Sequence, residues 1–231
     1  MPKTRLQKAI ATLAKRYGKP KPPAAGRDPL ALISWEMVAY LADDETRDAA
    51  FKALKTRIGL TPSALLDVPL PVLTEVCRLG GPVHPLERAK RIKIGAAIAM
   101  DEFGGNLSQV LDWDYRKATK ALRRFPSVGE PGADRILMLC GSHAVLGLDS
   151  NALRVLLRLG YGEESANYTK AYRSARDAAM AELPKNAATL ADASRLLREH
   201  GKETCKTSAP KCEECPAAAT CAWYRAHARQ R

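Results

Sequence analysis

Along most of this chain the apolar residues recur every three or four positions rather than every two. Leu6, Ile10 and Leu13 share one helical face near the N-terminus, and Leu153, Leu156 and Leu157 share another in the second half. That period belongs to helices, and it predicts an all-α fold. A first helix near residues 3–17 gives way to GKPKPPAAGRDP, whose glycines and prolines stop helices. Asp28 and Pro29 then read as an N-cap and a first-turn proline of a helix running to about Ala42. Further helices are expected at 44–57, 62–67, 70–78, 85–102, 106–110, 114–123, 131–140, 149–158, 165–182 and 189–200. There is no internal repeat, and the short proline-rich loop is the only biased tract.

At 231 residues the chain can bury a substantial core without disulfides. Lys and Arg outnumber Asp and Glu by 37 to 25, a formal charge of +12, which suits a polyanionic partner. Charge alone does not separate a nucleic-acid binder from an ordinary basic protein. No stretch of eighteen apolar residues runs uninterrupted by charge, so a soluble, cytoplasmic and nucleoid-associated protein with no membrane contact is expected.

Six cysteines in such a compartment do not suggest disulfides, and their distribution is uneven. Cys77 and Cys140 stand alone in apolar helical contexts, LTEVCRL and ILMLCG, and are read as buried structural thiols. The other four form Cys205-x6-Cys212-x2-Cys215-x5-Cys221, followed by the basic segment AWYRAHARQR with Arg225, Arg229 and Arg231. Four soft thiolates this close in sequence can converge on one centre, and spacing leaves zinc and an iron-sulfur cluster both open.

The 6-2-5 spacing, preceded by His200-Gly201-Lys202 and with Pro216 after the third cysteine, resembles the cluster loop of endonuclease III and MutY, helix-hairpin-helix DNA glycosylases. That resemblance implies a [4Fe-4S] cluster held by Cys205, Cys212, Cys215 and Cys221. FPSVGEPGADRI at 125–136 resembles the superfamily's hairpin, whose amides bind DNA phosphate. Ser127, Val128, Gly129 and Gly132 are the expected backbone contacts. Ser127 replaces a hairpin glycine and Pro131 has no amide proton, so weaker phosphate contacts are expected.

In GLDSNALRVLLRLG, Asp149 alone reads as an N-cap. About twenty residues past the hairpin, it matches the carboxylate of the active-site mouth in these glycosylases, with Asn151 beside it. A fixed anion there stabilises the oxocarbenium-like charge that develops as an N-glycosidic bond breaks. Glu36, in PLALISWEMVAYLADD, falls where MutY and the thymine/uracil mismatch glycosylases carry a glutamate that assists departure of the base. Its apolar neighbours Ile33, Trp35, Met37 and Val38 predict a raised pKa suited to proton donation. Trp35, Tyr40 and Leu41 are candidates to stack on a flipped base or fill the gap in the duplex, and equally candidates for the core.

Pro131 stands where endonuclease III has its nucleophilic lysine, which implies an enzyme that hydrolyses the bond with water and has little or no lyase activity. By analogy of architecture, 29–148 would form a barrel-like helical domain with the hairpin at about 115–140. Residues 1–28 and 149–231 would form a second domain around the cluster. The expected activity is monofunctional removal of uracil, mismatched thymine or a modified base from double-stranded DNA by a monomer. The alternatives are an alkylated-base glycosylase and a non-catalytic DNA-binding relative.

Overall fold

A computed structural model describes residues 2–227; Arg229 and Arg231 of the basic tail lie outside the described residues. Every regular element among the described residues is helical, as the apolar period predicts.

The chain divides into two compact units, Pro22–Gly129 and the combination of Met1–Lys21 with Glu130–Arg231. The central unit contains α2 (Pro29–Val38), α3 (Asp44–Arg57), α4 (Pro62–Asp67), α5 (Leu70–Leu79), α6 (Pro85–Phe103), a 3-10 turn at Leu107–Asp112 and α7 (Tyr115–Leu122). The long α6 is its axis, packed by α2, α4 and α5. Sequence periodicity carries α2 on to about Ala42, but the helix stops at Val38. Ala39 turns extended and Leu41 adopts a left-handed φ of 51°, so the last four expected helical residues form a loop. All of α2 except Glu36 is buried, which makes it a core helix rather than an amphipathic one.

The second unit contains α1 (Arg5–Tyr17), α8 (Glu130–Cys140), α9 (Ser150–Leu159), α10 (Tyr168–Met180) and α11 (Ala187–Glu203), then two 3-10 turns and α12 (Ala222–His227). Thr4 and Gln7 close a capping box that starts α1. The inner faces of α1, α9 and α11 supply Leu6, Leu13, Leu153, Leu156, Leu190 and Leu197 to one core. Each such leucine contributes about 1.5–3 kcal/mol by burial. By packing, 130–148 goes with the terminal segments, whereas the sequence reading ended the central unit at 148. The physical cause is α8, whose residues pack on α11. Just after it, Gly147 has no room for a side chain against the Arg135 backbone.

Candidate active site and cysteine cluster

Asp149 caps α9. Its Oδ1 accepts the Ala152 amide at 2.8 Å, and its Oδ2 meets Arg198 Nε at 2.8 Å. The carboxylate is 17% exposed, so it is reachable while both oxygens are held. Burial, and after it the Asp149 charge, push the Tyr168 hydroxyl up, while Arg135 pulls it back. Tyr168 therefore lies within electrostatic reach of both Asp149 and Arg135.

Helix α11 meets the start of α9 residue by residue. Ser194 donates to the Gly147 carbonyl at 2.6 Å, Arg198 pairs with Asp149, and Gly201 lies against Asn151. Residues 194, 198 and 201 are spaced four and three apart and so share one helical face. That spacing was a readable signal for Arg198, a charged residue among small ones on a buried stripe, and the sequence reading missed it. Asn151 is half-buried, and its Oδ1 accepts from Arg154 Nη2 at 2.8 Å. Arg154 also reaches the carbonyls of Gly201 and Cys205, and one turn on Arg158 reaches Cys205 Sγ at 3.4 Å and the Lys206 carbonyl at 2.7 Å. Helix α9 thus runs from the carboxylate to the cysteine loop as a row of arginines.

None of the six cysteines is in a disulfide among the described residues; Cys77 and Cys140 are buried, as expected of structural thiols. Cys205, Cys212, Cys215 and Cys221 all line one cavity with about 380 Å³ of empty space, its open mouth included. Burial pushes the Cys215 thiol up to about 11, and the charges of the other three add to that. No group of three or more His, Cys, Asp or Glu among the described residues is gathered tightly enough to hold a single metal ion. His200 closes one side, with Nδ1 2.9 Å from the Tyr17 hydroxyl and Nε2 3.5 Å from Cys215 Sγ. Burial lowers its pKa to about 4.

The hairpin keeps a left-handed residue despite its substitution: Ser127 has φ 63°, and the Val128 amide donates to Phe125 at 3.1 Å. Gly129 is exposed, Gly132 is partly so, and Pro131 occupies the first turn of α8. The first residue of that helix, Glu130, is gripped by Arg173 at 2.6 Å and Arg176 at 3.1 Å. The Arg173 hydrogen bonds hold its carboxyl below the usual range, against the opposing effect of burial. Arg176 also reaches the buried Asp134, which accepts from the Tyr172 hydroxyl at 2.6 Å.

On the central unit, the structure corrects the expected surroundings of Glu36 and places Trp35 in the core, one of its two expected positions. Glu36 was expected in apolar surroundings; its side chain is 35% exposed and faces Arg47 at 3.4 Å. The apolar neighbours in sequence point into the core around α2, leaving the glutamate on the one face that is open. Trp35 is 6% exposed, its Nε1 donates to Asp48 at 2.6 Å, and Arg47 lies over its ring at 4.7 Å. It is a core residue with one face already stacked. Tyr40 and Leu41, in contrast, are 54% and 80% exposed.

The fold is similar to those of solved DNA glycosylases, endonuclease III among them. It matches a trapped endonuclease III–DNA covalent intermediate with a TM-score of 0.77, 21% identity and coverage of 100% of both chains. It matches a thermostable thymine-DNA glycosylase with a TM-score of 0.76 and 18% identity, over 96% of this chain and 97% of the other. A 3-methyladenine DNA glycosylase of H. pylori matches with a TM-score of 0.64 and 16% identity, over 86% and 97%. In sequence the chain is 24% identical to endonuclease III of Sulfolobus acidocaldarius over 199 residues, 86% of this chain and 83% of that protein. It is also 24% identical to endonuclease III of Thermotoga maritima over 198 residues, 86% and 84% respectively. No protein-family model matches the chain.

Proposed function

We propose that the protein is a monofunctional DNA glycosylase that removes a damaged or mismatched base from duplex DNA. The observation that carries this reading is Asp149, a carboxylate anchored at both oxygens on a helix start that follows the hairpin, with proline rather than an amine at residue 131. A pre-oriented anion is what an oxocarbenium-like sugar requires, because it needs no reorganisation as charge develops. Water is then the nucleophile. Glu36 assists the leaving base from within its pair with Arg47. The +12 charge and the relatives, among them a DNA-bound endonuclease III and a thymine-DNA glycosylase, support duplex DNA as the partner. Among the described residues no helix is long and apolar enough to cross a membrane.

Cys205, Cys212, Cys215 and Cys221 are proposed to hold a [4Fe-4S] cluster. Their 6-2-5 spacing and the one cavity that all four line support a shared thiolate-bound centre. The guanidinium of Arg158 beside Cys205 would offset thiolate charge. When bound, the cluster would staple a loop that has little apolar core of its own.

Single-turnover assays on duplexes bearing uracil, mismatched thymine, alkylated purine or oxidised pyrimidine test the activity. Strand breaks that appear only after alkali are expected; breaks without alkali would overturn the monofunctional reading. Introducing an amine by Pro131→Lys is expected to create a borohydride-trappable covalent complex absent from the wild type. If Glu36→Gln costs little on alkylated purine while other substrates stay uncut, the alkylated-base class is the correct one.

A further inference from the structure

Helix α7 presents one kind of side chain to solvent. Its exposed residues are Arg116, Lys117 and Lys120, and the exposed Arg123 and Arg124 follow directly. Ala118, Thr119 and Leu122 form the buried face. At about 100° per residue, the cations from Arg116 to Arg123 fall within an arc of about 120° opposite that face. Two neighbouring carboxylates are engaged: Asp114 Oδ1 accepts the Arg116 and Lys117 amides at 3.0 and 3.1 Å, and Glu102 pairs with Arg124 at 2.8 Å. Among the described residues, the side chains of Arg116, Lys120 and Arg123 form no ion pair.

Helix stability does not account for this arrangement. Like charges three or four residues apart repel, as Arg116 and Lys117 do with Lys120. Arg116 and Lys117 also lie in the first turn, at the positive end of the helix dipole. Lys117 is nevertheless held: its ammonium lies 4.0 Å from the centre of the Trp113 ring, Trp113 packs on Phe103, and Phe103 stacks on Phe125 at the foot of the hairpin. The cationic face therefore runs into the hairpin turn at Ser127 within one compact unit. Beyond that turn, Pro131 brings no amide proton to the start of α8 and Glu130 adds a carboxylate, so it offers an anion fewer donors than a plain helix start.

We propose that the cationic face of α7 binds the phosphate backbone of duplex DNA beside the hairpin, so that side-chain charge supplies a grip for which this hairpin has few amides. The inference rests on the glycosylase reading for the partner and adds the surface that holds it. Arg116 and Arg123 are about 10 Å apart along the helix axis, which matches about three phosphate intervals of one DNA strand. Cations crowded together without internal partners lose their mutual repulsion against a polyanion and displace its counterions.

Anisotropy titrations of a lesion-free duplex at several salt concentrations test this. Arg116→Gln, Lys120→Gln and Arg123→Gln should each weaken binding and lower the magnitude of the slope of log Kd against log salt by about 0.9, and the triple variant by about three times as much. The triple variant should melt no lower than the wild type, because repulsion within the helix is relieved, so unfolding does not explain its loss. Replacing Lys52, Lys55 and Arg57 of α3 by Gln removes equal charge from another exposed face of the same unit and should leave the slope near that of the wild type. An unchanged slope in the α7 triple variant, an equal fall in the α3 variant, no duplex binding by the wild type, or displacement of the duplex by polyglutamate as readily as by unlabelled duplex would overturn the proposal. No bond is broken in these titrations. A protein that shows the α7 dependence yet cuts no substrate keeps this surface and loses the glycosylase reading, whereas one that cuts DNA without that dependence does the reverse.

Discussion

At the scale of single residues, Asp149 caps α9 and is proposed to serve as the catalytic carboxylate, two jobs that mutation can separate. Asparagine caps a helix about as well as aspartate, whereas alanine does not. Asp149→Asn should therefore keep the melting temperature and DNA affinity while lowering the single-turnover rate about 100-fold or more. Asp149→Ala should add a loss of about 1 kcal/mol, read by urea denaturation. Arg198 pairs with that carboxylate, so its replacement by Met should slow the wild type more than it slows the Asp149→Asn variant. Ser127 presents the opposite balance. It holds the hairpin's left-handed φ at a steric cost that glycine would not incur. Part of that relief is returned as unfolded-state entropy. Ser127→Gly should stabilise the protein by up to about 1 kcal/mol, again by denaturant titration.

Between elements, the contact of α9 with α11 determines whether Asp149 and the cysteine loop stay in register. A methyl on Gly201 would fall 2.7 Å from the Asn151 carbonyl oxygen, a backbone atom that cannot swing aside. Gly201→Ala should cost about 1–3 kcal/mol as the helices part. It should also slow turnover, because the Arg198 to Asp149 distance opens with them. The tie between α8 and α10 predicts an acid limb. Because Arg173 lowers the Glu130 pKa in the folded state, that carboxylate's contribution is fully present above its ordinary value of 4.5 and disappears as pH falls through the depressed one. Glu130→Gln should flatten stability against pH in that acidic window, as thermal melts at pH 3 to 6 would record.

For the whole molecule, the two compact units depend on different sources of order. The central unit is built on an axial helix and a fully buried one, while the segment from Cys205 to His227 has two 3-10 turns, a six-residue helix and few buried side chains. Stripping iron from protein that carries the proposed cluster is expected to abolish amide exchange protection over 205–227 while leaving 85–103 protected; uniform loss would show that the proposed cluster supports more than its own loop. The sequence by itself was enough for the all-helical class, the N-caps at Asp28 and Asp149, the cysteine loop and the hairpin, because each is written in local spacing or backbone chemistry. It also marked Asp149 and Leu41 as candidates. Only the tertiary structure decided that Trp35 is core, that Glu36 faces Arg47, that α2 ends at Val38, and that Arg198 holds the carboxylate. Those facts depend on residues 11 to 49 positions apart meeting in space, and helical periodicity says which face is apolar without saying what will be packed against it.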